Sequence, residues 1–360
     1  MNELNLPLGV AARCQPSVNG LAVHYLEAGR TDAPVVLLLH GFPDLAYGWR
    51  AVMVPLAAAG FRVLAPDLRG YGRTTGWSTS YDNDLRPFGF MNLVRDLLAF
   101  LDALDVSRLH LCVGHDFGSP LAAYFALLRG DRLERLVLSS APFGGAPATE
   151  MRRSTLDAAL ASLPQPRRHY QDYFAGRNAN GELLAAPQGL TRFLRGYFHV
   201  KSADWAENQP QALEGWDARQ LARLPRYYVM DRDQTMAATV APWADVPEPA
   251  WLTEAELAVY ANEYARTGFQ GGLNWYRAMA EPALTAELSV LYRKPIATPT
   301  WFISGASDWG NHQTPGALRR METRVCTDYR GTRLIPRAGH WLQQEQPAAL
   351  VHELLDVCAQ

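Results

Sequence analysis

The sequence predicts an α/β fold: a mostly parallel sheet flanked by helices, with a helical domain inserted into it. Short, fully apolar runs ending in turn signals recur along the chain, and amphipathic helical patterns lie between several of them. From about residue 145 to 284 the strand runs stop, while aromatic residues, Arg and Pro become frequent. The chain therefore divides into a first core segment (1–144), an inserted helical domain (145–284) and a second core segment (285–360).

The elements follow in order. Val35-Val36-Leu37-Leu38-Leu39, ending at His40-Gly41, reads as a strand buried on both faces, as a parallel sheet requires. Residues 61–65, 109–113 and 136–139 repeat the pattern, each followed by a turn signal. Between 91 and 104, Leu93, Leu97, Phe100, Leu101 and Leu104 fall at spacings of three and four and form one helical face. Residues 300–304 and 333–335 resume the strand pattern, and 347–357 reads as a closing helix. Inside the insertion, Thr253 and Glu256 form a capping box, with Leu257, Tyr260, Ala261 and Tyr264 on one face and Gly268 as a stop. Residues 203–252 hold several Pro and Trp and little periodicity, so a long irregular excursion lying over another part of the molecule is expected there.

Composition narrows the function. The 360 residues carry 34 basic and 36 acidic side chains, a net charge of −2 with no long run of one sign, so neither nucleic acid nor an anionic membrane is an expected partner. At 48% hydrophobic and 19% charged the chain is too apolar for disorder. The first fourteen residues lack a basic flank leading into an apolar stretch, and no apolar run approaches the ~18 residues of a membrane span. A soluble, cytoplasmic, non-secreted protein is expected. Cys14, Cys112, Cys326 and Cys358 are too scattered for a CxxC pair or a disulfide scaffold, and are read as reduced thiols. Residues 67–72 match neither GxGxxG nor a phosphate-binding loop, and no cofactor or metal is expected. The oligomeric state is left open, a homodimer among the options.

The most specific motif is Gly114-His115-Asp116-Phe117-Gly118, directly after an apolar strand and before a small-residue helix starting near Ser119. A sharp strand-to-helix turn strains its central residue, and small residues two places either side let the backbones pass. An isolated GxDxG would more often be a turn in which Asp116 caps the next helix; the flanking strand and helix point instead to a nucleophile elbow with Asp at its tip. Asp308, after the strand 300–304, and His340, after 333–335, complete the order nucleophile, acid, histidine expected of an α/β-hydrolase sheet. Alone, either would be read as a loop cap or a structural histidine. The loop His40-Gly41-Phe42-Pro43 follows the neighbouring strand, where a backbone donor to an oxyanion must come from, so the amides of Phe42 and Phe117 are assigned as the oxyanion hole. The His40 side chain itself reads as structural.

Together with Asn274-Trp275-Tyr276-Arg277 and Gly339-His340-Trp341, these motifs resemble the soluble epoxide hydrolases of the α/β-hydrolase superfamily, from about residue 20 to the end. The resemblance implies an α/β-hydrolase core with a helical cap domain, and two cap tyrosines that donate hydrogen bonds to an epoxide oxygen. Tyr276 matches one of them; Tyr170 is assigned to the other, with Tyr173 a near competitor. Phe42, Tyr173, Trp275 and Trp309, with Trp205, are candidate pocket residues for an apolar substrate, or else core.

Aspartate at the elbow decides the chemistry. With a reference pKa of about 3.9 it is an anion at neutral pH and needs no base. Attack on an ester would give a reactive anhydride, whereas attack on a saturated carbon gives an ordinary ester that can wait for water. The expected substrates are thus a small apolar epoxide and water, with Asp116 as nucleophile, His340 as water-activating base, Asp308 as its orienting acid, and Tyr170 and Tyr276 as ring-opening acids. A haloalkane or haloacid dehalogenase using the same Asp is the alternative; Phe117 stands where such enzymes commonly carry Trp or Arg. A non-enzymatic small-molecule receptor on the same fold is a third reading, against which the complete triad argues.

Overall fold

The computed structural model describes residues 4–148 and 153–360. Its strands are β1 (Val10–Val18), β2 (Leu21–Ala28), β3 (Val35–Leu39), β4 (Arg62–Pro66), β5 (Leu111–His115), β6 (Leu136–Ser139), β7 (Arg167–His169), β8 (Val229–Asp231), β9 (Thr300–Gly305) and β10 (Tyr329–Ile335). Among the described residues eight of them form one sheet in the order β1-β2-β4-β3-β5-β6-β9-β10. β2 pairs antiparallel with both β1 and β4, and every pairing from β4 to β10 is parallel.

Burial on both faces follows from side-chain alternation. Successive residues of a strand point to opposite sides, so in β3 Leu37 and Leu39 join one apolar cluster and Val36 and Leu38 the other. β5, β6 and β9 split the same way, with Cys112, Leu136 and Phe302 on the first face and Val113, Val137 and Ile303 on the second. The first face receives Leu93, Val94, Leu97, Phe100 and Leu101 of helix Phe90–Ala103, the three-and-four spacing that made this helix legible, together with helix Gly118–Arg129. The second is covered by Val52, Met53 and Leu56 of helix Arg50–Ala58 and Leu350, Val351, Leu354 and Val357 of helix Pro347–Ala359. The expected sheet flanked by helices is therefore what the chain builds.

Some elements differ from expectation. The hairpin β1–β2 carries no clear signal because β1 is an edge strand, half exposed along its length, and such strands need not alternate. Between β6 and β9 the chain is mainly helical, but β7 and β8 form a short antiparallel ribbon where no strand was expected. The excursion 203–252 also contains helices Ala218–Leu221 and Met236–Val240; elements of four or five residues are too short to display a period. Residues 149–152 of the expected insertion, and residues 1–3 of the first core segment, lie outside the described residues. The four cysteines are unbridged, and no described helix is long and apolar enough to cross a membrane.

Helix Glu254–Thr267 forms as its capping box dictates. Glu256 N–H donates to Thr253 Oγ1 at 3.3 Å, Thr253 N–H donates back to the Glu256 carboxylate at 2.9 Å, and Gly268 stops the helix at φ +68°. Arg50 Nε also donates to Glu256, at 3.0 Å, so the cap ties the insertion to the core. Thr253→Ala is expected to cost about 1 kcal/mol, read as a lower urea midpoint with an unchanged denaturant slope.

Candidate active site

β5 ends at His115 and the next helix begins at Gly118, so the chain reverses around Asp116, held at φ +52° in the left-handed region. For a non-glycine residue this costs about 1–3 kcal/mol. The reversal is possible because two side chains are missing. A Cβ on Gly114 would lie 2.1 Å from Gly118 O, and one on Gly118 would lie 2.3 Å from Leu39 O. The Asp116 carboxylate is thereby delivered to the carboxyl end of β5, beside the loop that follows β3. Phe42 N–H donates to Asp116 Oδ1 at 2.9 Å. A Cβ on Gly41 would fall 2.2 Å from that oxygen and 2.6 Å from Phe117 N, so the carboxylate and both assigned amides crowd one small space. His40 holds the loop in place: its Nδ1 bonds Gly41 O at 2.9 Å, and Leu68 N–H donates to its Nε2 at 3.1 Å.

The other two groups arrive from the ends of β9 and β10. Asp308 accepts Gly310 N–H at 2.7 Å and places both carboxylate oxygens, at 3.2 and 3.3 Å, against Nδ1 of the fully buried His340. Ser140 Oγ lies 2.8 Å from the same nitrogen. Because an ionised carboxylate only accepts, Nδ1 carries a proton and Nε2 offers its lone pair in the neutral ring. That Nε2 lies 3.6 Å from Asp116 Oδ2. β9 and the histidine loop approach closely because Gly305 has no side chain: a Cβ there would lie 2.1 Å from Gly339 O. Behind them, His115 is kept neutral by burial, its pKa lowered to about 3, and its Nε2 bonds the His340 carbonyl at 2.6 Å.

Burial by itself would push the Asp116 carboxyl up, but His340, the Lys201 ammonium and the Phe42 amide outweigh it and hold it below the usual aspartate value. Asp308 is likewise held low, burial being overcome by His340, the Ser140 hydroxyl and the Gly310 amide. Two buried carboxylates are thus held ionised, one beside each nitrogen of the imidazole.

A family model described as alpha/beta hydrolase fold matches residues 34–347. The chain is 33% identical over 352 residues to Epoxide hydrolase B of Mycobacterium tuberculosis, covering 94% of this chain and 95% of that protein. It is 35% identical over 349 residues to Epoxide hydrolase A of the same organism, covering 94% of each. The chain belongs to the epoxide hydrolase family of the α/β-hydrolase superfamily. Its structure is similar to that of an epoxide hydrolase from an endophytic Streptomyces, with a TM-score of 0.80, 30% identity and 98% and 96% of the two chains covered. It is also similar to epoxide hydrolase I of potato (Solanum tuberosum), with a TM-score of 0.75, 28% identity and 96% and 98% coverage.

In this family member Tyr276 lies on helix Gln270–Ala280, its ring centroid 4.6 Å from Phe117, the residue after Asp116, and 5.5 Å from Phe42, whose amide donates to Asp116 Oδ1. Burial, then Tyr170 and Asp116, push the Tyr276 phenol well above its ordinary value, so it stays protonated. Tyr170 opens helix Tyr170–Phe174, with its ring 5.8 Å from that of Tyr276 and its hydroxyl donating to Gln313 Oε1 at 3.0 Å. Tyr173 sits elsewhere: the Arg168 guanidinium covers its ring at 4.6 Å, and burial, with Glu182 nearby, raises its phenol. Trp275 backs the site, 5.3 Å from Phe117, with Nε1–H donating to Arg69 O at 2.8 Å. Trp309 lines a different cleft of about 420 Å³ with Trp205, Tyr227 and Trp243.

Several polar partners at the site were not anticipated. Ser140 and Gln313 are single residues with no spacing to mark them. Glu345 braces the histidine loop, accepting Gly339 N–H and Trp341 N–H, both at 2.9 Å, and Ala203 N–H at 2.8 Å. Lys201 Nζ lies 3.2 Å from His340 Nε2.

Proposed function

We propose that the protein hydrolyses small apolar epoxides to vicinal diols through a covalent ester on Asp116. The helical segment 145–284 serves as the cap that carries Tyr170 and Tyr276 over the core segments 1–144 and 285–360. The observation that carries this reading is the convergence on one carboxylate: the Phe42 amide on Oδ1, the His340 imidazole beside Oδ2, and the Tyr276 ring against both flanking phenylalanines. The curated relatives' names supply the substrate class.

In the first half-reaction an Asp116 oxygen attacks a ring carbon and the carbon–oxygen bond of the ring breaks. The departing oxygen is an alkoxide, costly in an aromatic-lined site unless acids meet it. Protonated phenols at Tyr276 and Tyr170 meet that requirement. In the second, Nε2 of His340, oriented through Nδ1 by Asp308, draws a proton from water as it adds to the ester carbonyl. The resulting oxyanion forms where Oδ1 now lies, against the amides of Phe42 and Phe117.

A panel of styrene-type, alkyl and cyclic epoxides, with diols resolved by chirality, tests the reading. The wild type is expected to form diol, and Tyr276→Phe to slow ring opening by ~10²-fold. Release of halide from haloalkanes or haloacetates, with no diol from any epoxide, would overturn it; full activity in Tyr276→Phe would remove that residue from the scheme.

A further inference from the structure

Lys201 ends helix Leu190–Lys201 and is 4% exposed. Its ammonium sits among the rings of Tyr228, Tyr197 and Trp341, at 5.1, 5.4 and 5.6 Å from their centroids, with Nζ 3.2 Å from His340 Nε2. The backbone builds this contact in. His340 N–H donates to Lys201 O at 2.8 Å, the Glu345 carboxylate bridges amides on both sides, and a Cβ on Gly339 would fall 2.6 Å from Lys201 O.

A buried ammonium persists only where anions compensate it. Burial lowers the pKa of this amine, and the charges that oppose the drop belong to Asp116 and Asp308. Of the two, Asp116 contributes more, and its charge vanishes when Asp116 becomes an ester.

Composition points the same way. Of the 34 basic residues, two are lysine, Lys201 and Lys294, and the rest are arginine. An arginine would supply the same charge but never release its proton. A chain that uses arginine almost everywhere thus places a titratable amine against its histidine.

We propose that Lys201 stores the proton that the two half-reactions exchange; this rests on the two-step ester reading above. During ring opening the carboxylate–carbon bond forms and the ring carbon–oxygen bond breaks. The alkoxide takes a proton from Tyr276 or Tyr170, and the phenolate is refilled from Lys201. Asp116 and Lys201 lose their charges together. Tyr228 stands between donor and acceptor: its hydroxyl has no hydrogen-bond partner among the described residues, and its ring lies 5.2 Å from that of Tyr170. In ester hydrolysis water adds to the carbonyl carbon and the ester carbon–oxygen bond breaks. One proton of the water ends on the leaving diol; the other passes through His340 Nε2 to the Lys201 amine, restoring ammonium and carboxylate. The sum is epoxide plus water to diol, with no proton borrowed from solvent.

Stopped-flow mixing in weak buffer with a pH indicator, paired with intact-protein mass, reads the proton count. In His340→Gln, which retains Lys201, ester is expected to form with no net proton uptake. In His340→Gln/Lys201→Arg, where the charge stays but cannot be surrendered, one proton per ester should be taken from solvent. Uptake of one proton per ester with Lys201 present overturns the proposal while leaving the ester reading intact. Absence of any mass gain beside a wild type that forms diol overturns the ester reading and this proposal with it. Should the double variant fail to fold, His340→Gln and the wild-type burst decide alone: no transient alkalinisation supports the store, and one proton per ester refutes it.

Discussion

Asp116→Asn is expected to lower kcat for diol formation by about 10⁴-fold or more, the scale seen when a covalent nucleophile is removed, while leaving the fold unchanged. The amide keeps the size of the carboxyl and an oxygen that can still accept the Phe42 N–H, now 2.9 Å from Oδ1. Asparagine also tolerates the left-handed conformation at φ +52° better than most residues. What it lacks is the anion. The measurement is single-turnover diol formation on protein whose intact mass verifies the amide, with circular dichroism to establish folding. Activity near that of the wild type would mean that the carboxylate does not form the bond, and the covalent scheme would fall.

His340→Gln separates the two half-reactions. In the proposed scheme ring opening uses Asp116 and the phenols, so the ester should still form; its hydrolysis would need the Nε2 lone pair, which glutamine lacks. Turnover is expected to drop about 10²- to 10⁴-fold, the range for loss of a general base, and the protein should gain the mass of one substrate molecule. Glutamine fits in outline and can donate to Asp308, now 3.2 Å from Nδ1, so that carboxylate is not stranded without a partner. If the variant gains no mass while the wild type turns over, Asp116 is not alkylated.

The elbow and the triad were legible because each depends on local backbone demands. Gly114 and Gly118 must lack side chains for the turn to close, and such a demand is written at fixed spacing around Asp116. Asp308 follows the apolar strand β9 and His340 follows the edge strand β10, which gives their place along the sheet without any knowledge of distance. The strands β3, β5, β6 and β9 read clearly because parallel strands are apolar on both faces. Edge strand β1 and the ribbon β7–β8 lack that pressure and were missed.

The choice between Tyr170 and Tyr173 shows where the reading stops. Three residues apart on one helix, they share a face, and sequence pattern treats them alike. Packing separates them: Tyr170 meets the ring of Tyr276 at 5.8 Å, and Tyr173 lies under Arg168. Lys201 did leave a trace, as one of two lysines among 34 basic residues, but scarcity names a residue without saying what it touches.

The amino-acid sequence by itself determined the sheet, the elbow with its aspartate, and the order of the acid and the histidine, since those rest on periodicity and on steric demands within a few residues. Only the tertiary structure decided which phenol faces Tyr276, that Ser140 shares Nδ1 of His340, that Trp309 turns to another cleft, and that an ammonium meets Nε2. Each of those depends on how segments far apart in the chain pack, and side-chain contacts of that kind leave no spacing in the chain to read.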